Sequence, residues 1–415
     1  MSCGIDFGTS NSSASIANQG KIDLVRVEGD SVTIPSAVFY QRNGNIPHYG
    51  REAVDLFFSR HEGRFMRSLK RVLGTTIMKH GTLVNGKPMR FENIIASFLL
   101  NLKKKIDAAA GAQLEHVVMG RPVHFIDNDK EGDAHAQNEL KAIAYQIGFK
   151  HVEFQFEPIA AAFAHEIKID GEKLAIVADL GGGTSDFTII KLSNRSIHKA
   201  DRSSDILANT GVRVGGNDFD KNLSLAAVMP EIGYQTTYGA KNLEVPPKPF
   251  NDLAECSKVN FLYTTKVISQ TREFLHQAHD KTRYRRLLKV LEQETGHSIL
   301  AATEEAKINL TIETKYDAPF NFIEEGLHID LSRTQFEEAI YSNVDKILNS
   351  ATECLHRASV KPEDIQLVIL TGGSTEVPLV QNGFKKLFPN AAVADENKLS
   401  SVGLGLAYDS MNKFK

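Results

Sequence analysis

Two stretches of this chain repeat one another and leave little freedom in how it can fold: "CGIDFGTSNSSASIA" at the start and "VADLGGGTSDFTII" in the middle. Each runs from apolar residues through an aspartate to glycine, then through hydroxyl residues to a second apolar run. Asp6 matches Asp179 and Gly8 matches Gly181 at one constant offset. Apolar runs on either side of glycine-rich backbone read as two strands joined in a hairpin. Repetition over so long a distance implies two related lobes, each opening with that hairpin. Length agrees, since 415 residues exceed the size of about 250 to 300 at which a single core stops growing.

Glycine tolerates positive φ and lets a ligand approach the main chain, so consecutive glycines can aim several N–H groups at one anion. Thr184 and Ser185 add hydroxyl donors to Gly181, Gly182 and Gly183, and Thr9, Ser10 and Asn11 do so beside Gly8. Two such hairpins, one from each lobe, can grip a polyphosphate from both sides. A carboxylate beside phosphate is repulsive unless a cation lies between them, so Asp6 and Asp179 imply Mg²⁺, held largely through water as that ion prefers. A third glycine turn, Gly372 and Gly373, ends the apolar run Ile365 to Leu370, and a helix is expected from there through Phe388. The chain has no G-x-x-x-x-G-K-[ST], which excludes a P-loop. "GVRVGG" lacks the spacing of the dinucleotide fingerprint.

In "VEFQFEPIAAAFAHE", Val152, Phe154 and Phe156 alternate as a strand, and Pro158 suits the first turn of a helix. Glu157 then falls at a strand end, where open α/β sheets place their ligand chemistry. "RFMRSLKRVLG" offers Lys70 as a cation, though pattern alone does not separate it from Arg71 or Lys104. Pro246 to Pro249 reads as a loop. The charged stretch from Gln270 to Thr311 has helical period, with Leu287, Leu288 and Leu291 as its stripe and a Glu304–Lys307 pair at i,i+3. Its "RYRRLLK" reads as a solvated helix face rather than a nucleic-acid patch.

Charge supports this, because 48 basic against 51 acidic residues leave only −3, which calls for neither nucleic acid nor an anionic membrane. No run is apolar enough to span a bilayer and no leader precedes "MSCGIDFG", so a cytoplasmic protein is expected. Cys3, Cys256 and Cys354 have neither disulfide nor zinc spacing.

The segments "GIDFGTSNSS", "SLKRVLG", "EPIAAAFAHE", "VADLGGGTSDFTII", "GVRVGGNDFD", "EEAKINLT" and "VILTGGSTEVPLV" resemble, in order and spacing, the nucleotide-binding domain of DnaK-type heat-shock chaperones. Within that group the chain most resembles short DnaK-like proteins of the YegD type. The resemblance implies the actin and sugar-kinase fold: an α/β protein of two lobes, residues 1–158 plus 399–415 and residues 159–398, with a helix-rich insertion at about 217–310. It implies ATP or ADP with Mg²⁺, and K⁺ as a further ion. Asp6, Gly8, Thr9, Ser10 and Asn11 then resemble the first phosphate loop, and Gly181, Gly182, Gly183, Thr184 and Asp186 the second, with Asp179 as the partner of Asp6 at the metal. Lys70 resembles the lysine that orients the attacking water, and Glu157 the glutamate near metal and water. Glu304, Lys307 and Thr311 resemble the helix against ribose and adenine. Gly215, Gly216, Gly372, Gly373 and Ser374 resemble the turns beside the nucleoside and phosphates, and Pro122 the switch proline.

Two positions depart from the family pattern. Glu376 stands where an arginine stacks on adenine; losing a cation–π contact of about 0.5 to 2 kcal/mol weakens ATP binding about 2- to 30-fold. Leu399 stands where an aspartate is expected. No peptide-binding sandwich or lid follows Lys415, so the expectation is a slow, chaperone-like ATPase that engages co-chaperones or clients through other means. A non-hydrolysing nucleotide sensor, a sugar or carboxylate kinase and a filament-forming relative are the alternatives.

Overall fold

The structure is a computed structural model describing every residue except 43, 45, 60, 127, 128, 167, 168, 197, 198, 200, 257, 395–400 and 415. Leu399 is outside the described residues.

Both repeated stretches are hairpins, and each sits in the same place in its own sheet. β1 (Ser2–Asp6) pairs antiparallel with β2 (Asn11–Asn18), and β2 with β3 (Lys21–Leu24). On its other edge β1 runs parallel to β4 (His116–Arg121), and β4 to β5 (His151–Phe156). In the second sheet β6 (Glu172–Leu180) pairs antiparallel with β7 (Ser185–Ser193), and β7 with β8 (Ile206–Val212). β6 also runs parallel to β9 (Leu367–Thr371), and β9 to β10 (Ala392–Ala394). The two sheets therefore share strand order and pairing sense, and the matched aspartates hold equivalent register positions, Asp6 opposite Ser13 and Asp179 opposite Asp186. The central strands are buried almost throughout, as expected where helices cover both faces of a sheet.

Four helices position the residues singled out in the sequence. α1 (Lys130–Gln146) begins at Asp129, whose carboxylate accepts the Gly132 N–H at 2.9 Å as an N-cap. α2 (Glu157–Glu166) starts directly at the end of β5 with Pro158 in its first turn, where a missing N–H costs nothing. α3 (Gly296–Ile312) shares an apolar cluster with β6, and α4 (Ser401–Lys413) returns to pack on β1, β2, β4 and α2. Ile159 and Phe163 of α2, Val402 and Leu406 of α4, Val118 of β4 and Val177 of β6 share one apolar cluster, so the two helices join the sheets. Their approach is close: a Cβ on Gly405 would overlap the carbonyl oxygen of Ala160.

The charged stretch is broken into three helices, Thr265–Gln277, Lys281–Glu292 and α3. The buried stripe of the middle one is Tyr284, Leu287, Val290 and Leu291, with Leu288 only half-buried. Arg283 and Arg286 pair with Glu231, and Arg286 also with Glu324, which uses the basic run within the fold. Pro249 lies in the first turn of a helix, Lys248–Leu253, rather than in a loop. Small two-stranded pieces such as Thr82–Val84 with Lys87–Met89 and Thr237–Tyr238 with Leu243–Glu244 are too short to show a period of two in the sequence. Among the described residues no helix is long and apolar enough to cross a membrane.

Candidate functional site

Lys70 sits in the single helical turn Leu69–Val72, and its ammonium donates to Oε1 of Glu157 at the start of α2. Both side chains are nearly enclosed, 8% and 13% exposed. Burial pulls the lysine pKa down, but the carboxylates of Glu157, Asp6 and Asp179 more than reverse this, and the net direction is up. Lys70 is therefore a fixed cation. Lys104, by contrast, is exposed on the helix Phe91–Ala110. Arg71 reaches the second glycine hairpin, its Nη2 lying 3.4 Å from the carbonyl oxygen of Gly183.

Asp6 ends β1 and Asp179 lies one residue from the end of β6. Each keeps part of its surface open to solvent, but most of what surrounds it is protein. Loss of hydration, then Glu157, raises the Asp6 pKa from 3.8 to about 8 against the pull of Lys70. Loss of hydration, then Asp186 and Glu157, raises that of Asp179 to about 7. Three carboxylates thus share one lysine, and such a group lacks positive charge. Among the described residues no three His, Cys, Asp or Glu side chains close in as a direct metal-ligand set. These donors fit a hard cation reached through its water shell, which is how Mg²⁺ is commonly held.

The Gly181–Gly183 turn is held by its carbonyl oxygens. Gly181 O accepts from Gly216 N–H at 3.0 Å and from the Ser374 hydroxyl at 2.9 Å, while Gly182 O accepts from Asn217 N–H at 2.7 Å. In a trans peptide the N–H points opposite to its carbonyl, so the amides of Gly182 and Gly183 face away from these partners. Thr184 closes the turn, its carbonyl accepting from Gly181 N–H at 2.9 Å. Gly215 must be glycine because a Cβ there would lie 2.6 Å from Gly181 O and 2.7 Å from Gly183 N. The hairpins meet directly, a Cβ on Gly182 falling 2.7 Å from Ser10 Oγ. The turn of the first hairpin is braced by Ser36, whose hydroxyl donates to Gly8 O at 2.7 Å and whose N–H donates to Ser10 O at 2.8 Å.

Gly216, Ser374 and Lys307 converge beside this turn, since a Cβ on Gly216 would lie 2.8 Å from Ser374 Oγ and 3.6 Å from Lys307 Nζ. Lys307 pairs with Asp220 at 2.9 Å, not with Glu304 as its i,i+3 spacing suggests. Burial raises the Asp220 pKa to about 6 despite Lys307, and Glu304 adds to the rise. Gly372, at φ 86°, packs against Leu180 O and Asp179, and Gly373 opens the short turn after it. Thr9 and Asn11 flank Ser10 in the first hairpin, and Asp186 is exposed on β7. Thr311 stands apart, one turn beyond Lys307, with its hydroxyl donated to Ile308 O at 2.7 Å. Pro122 follows β4, and its carbonyl accepts from Arg121 Nε at 3.0 Å. Glu376 is exposed at the end of the third glycine turn. Ser36 carries no sequence signal beyond a hydroxyl between apolar residues, and Asp220, which closes "GVRVGGNDFD", gives no sign there that Lys307 is its partner.

Two sheets of one topology, joined by paired helices and meeting at glycine hairpins, define a protein of the actin-like ATPase fold. The Hsp70 protein family model matches residues 2–242 and 271–410, and the chain belongs to the Hsp70 family. It is 26% identical over 407 residues to the chaperone protein DnaK of Thermosipho melanesiensis and 27% identical over 415 residues to that of Thermotoga neapolitana. In both cases the match covers 97% of this chain and 58% of the relative, so the chain spans little more than half the length of these relatives.

Proposed function

We propose that this chain binds ATP with Mg²⁺ between lobes formed by residues 1–158 plus 399–415 and 159–398, and hydrolyses it slowly. The observation that carries this reading is the enclosed Lys70–Glu157 pair beside Asp6 and Asp179, where two glycine hairpins meet. Phosphoryl transfer to water needs positioning and charge more than covalent help. Lys70, held cationic by three carboxylates, offsets charge on the γ-phosphate and orients the attacking water. Glu157 fixes the lysine. The amides of Gly182 and Gly183, with Thr184 and the Thr9–Asn11 hydroxyls and amide, cradle phosphate oxygens from both sides. Asp6 and Asp179 would hold Mg²⁺ through water, and the ion, when bound, neutralises the β- and γ-phosphate oxygens.

Glu304, Lys307 and Thr311 supply the nucleoside side, and the exposed Glu376 gives weaker adenine binding than an arginine would. Because Ser10 and Gly182 touch across the lobes, nucleotide state sets how closely the lobes approach. DnaK relatives are named as chaperones, and we extend to this chain the engagement of client or co-chaperone proteins. The test is single-turnover ATP hydrolysis with Mg²⁺, with nucleotide affinity measured on the same protein. Slow hydrolysis is expected; tight binding without turnover would make the protein a nucleotide sensor instead.

A further inference from the structure

The Lys70–Glu157 pair is supported on both sides by one helix. Gly74 lies two residues beyond the turn that carries Lys70, at φ 73°, and its N–H donates to Oε2 of Glu139 on α1 at 2.7 Å. The fit is tight, because a Cβ on Gly74 would lie 2.8 Å from Gly132 O and 2.9 Å from Ala136 Cβ, both on α1. On the other side, Arg121 at the end of β4 donates to Asp133 at 2.6 Å and to Gln137, again both on α1. Its guanidinium lies 5.1 Å from the ring centre of Phe156, its register partner in β5. Phe156 immediately precedes Glu157, and Gly120 leaves room for the Glu157 side chain, whose Cγ is 3.2 Å from where a Cβ would stand. The contacts close a ring from Lys70 to Glu157, through Phe156 and Arg121 to α1, and back through Glu139 and Gly74.

We infer that α1 is a strut that sets the geometry of Lys70 against Glu157, with Glu139 and Arg121 as its positioning residues. Neither residue contacts the lysine. A carboxylate on a backbone N–H is among the stronger hydrogen bonds, and Arg121, 13% exposed, is fixed by a fork that a lysine could not reproduce. Displacing a catalytic group by about 1 Å can cost about 10²-fold in rate. The inference rests on the reading of Lys70 as a hydrolytic residue.

The experiment is single-turnover ATP hydrolysis and ATP affinity for Glu139→Leu, Glu139→Gln, Lys70→Ala and the Lys70→Ala/Glu139→Leu double variant. Glu139→Leu should slow turnover about 10- to 100-fold with affinity within about 3-fold, and Glu139→Gln, which keeps an acceptor oxygen, should restore most of the rate. Because Glu139 acts through Lys70, the double variant should be no slower than Lys70→Ala alone. Wild-type turnover in Glu139→Leu, or fully additive losses in the double variant, overturns the strut while leaving the reading of Lys70 intact. Wild-type turnover in Lys70→Ala removes that reading and the strut's role with it. Should Glu139→Leu not fold, Arg121→Lys bears the same test, and unaltered turnover there overturns the inference.

Discussion

The Lys70 ammonium donates a hydrogen bond to Oε1 of Glu157 across 87 residues of sequence, and both side chains are nearly closed to solvent. A cation so placed stabilises charge only where it is held, and removing one preorganised group of this kind costs about 10²- to 10³-fold in rate. Lys70→Ala should lose that much single-turnover hydrolysis while keeping ATP affinity. A variant that loses affinity and turnover in equal measure would remove the role.

The aspartates make stability depend on pH. Their folded pKa values, about 8 for Asp6 and about 7 for Asp179, lie above 3.8, so between about pH 4 and 8 the nucleotide-free fold holds protons that the unfolded chain has released. Their contribution to stability falls as pH rises through that window. Asp179→Asn should flatten the fall, read as urea midpoints at about pH 5 and pH 8.5, and should abolish the Mg²⁺ dependence of ATP binding. Equal pH slopes in wild type and variant would contradict the shift.

Gly215→Ala places a methyl against the Gly181–Gly183 turn, 2.6 Å from Gly181 O. Its extended backbone suits alanine, so the effect is one of space alone. ATP affinity should drop at least about tenfold, or about 1.4 kcal/mol, in titration calorimetry. Unchanged affinity would show that the turn gives way freely.

Gly405→Val forces α4 from α2 at their closest point, where the added side chain would overlap Ala160 O. Overpacking of this kind costs about 1 to 3 kcal/mol or more. The thermal midpoint should fall by several degrees, and a midpoint equal to wild type would count against the close approach.

The duplicated sheet is legible in the sequence because an aspartate two residues before a glycine, with hydroxyl residues after it, recurs between apolar runs, and the paired registers of Asp6 and Asp179 follow from that spacing. Glu157 at a strand end is legible from the alternation of Val152, Phe154 and Phe156. The choice of Lys70 over Arg71 and Lys104 is not, since it depends on which cation burial leaves facing a carboxylate far away in the chain. Lys307 illustrates the same limit: its i,i+3 neighbour Glu304 is visible in sequence, but the nearer partner Asp220 arrives from another helix. Glu139 is invisible for a further reason, because a carboxylate that holds a backbone N–H leaves no motif.

The packing of α4 on β1 bears on how the protein is made. Gly4 lies against Leu406, and Ser15 donates to Gly403 O at 2.5 Å across 388 residues of sequence, so β1 and β2 are covered by a helix translated long after them. Domains ordinarily fold as they emerge, N-terminal part first. Here the face of the first sheet that carries Ser2, Gly4, Ser13 and Ser15 stays uncovered by α4 until residues 401–413 have been made.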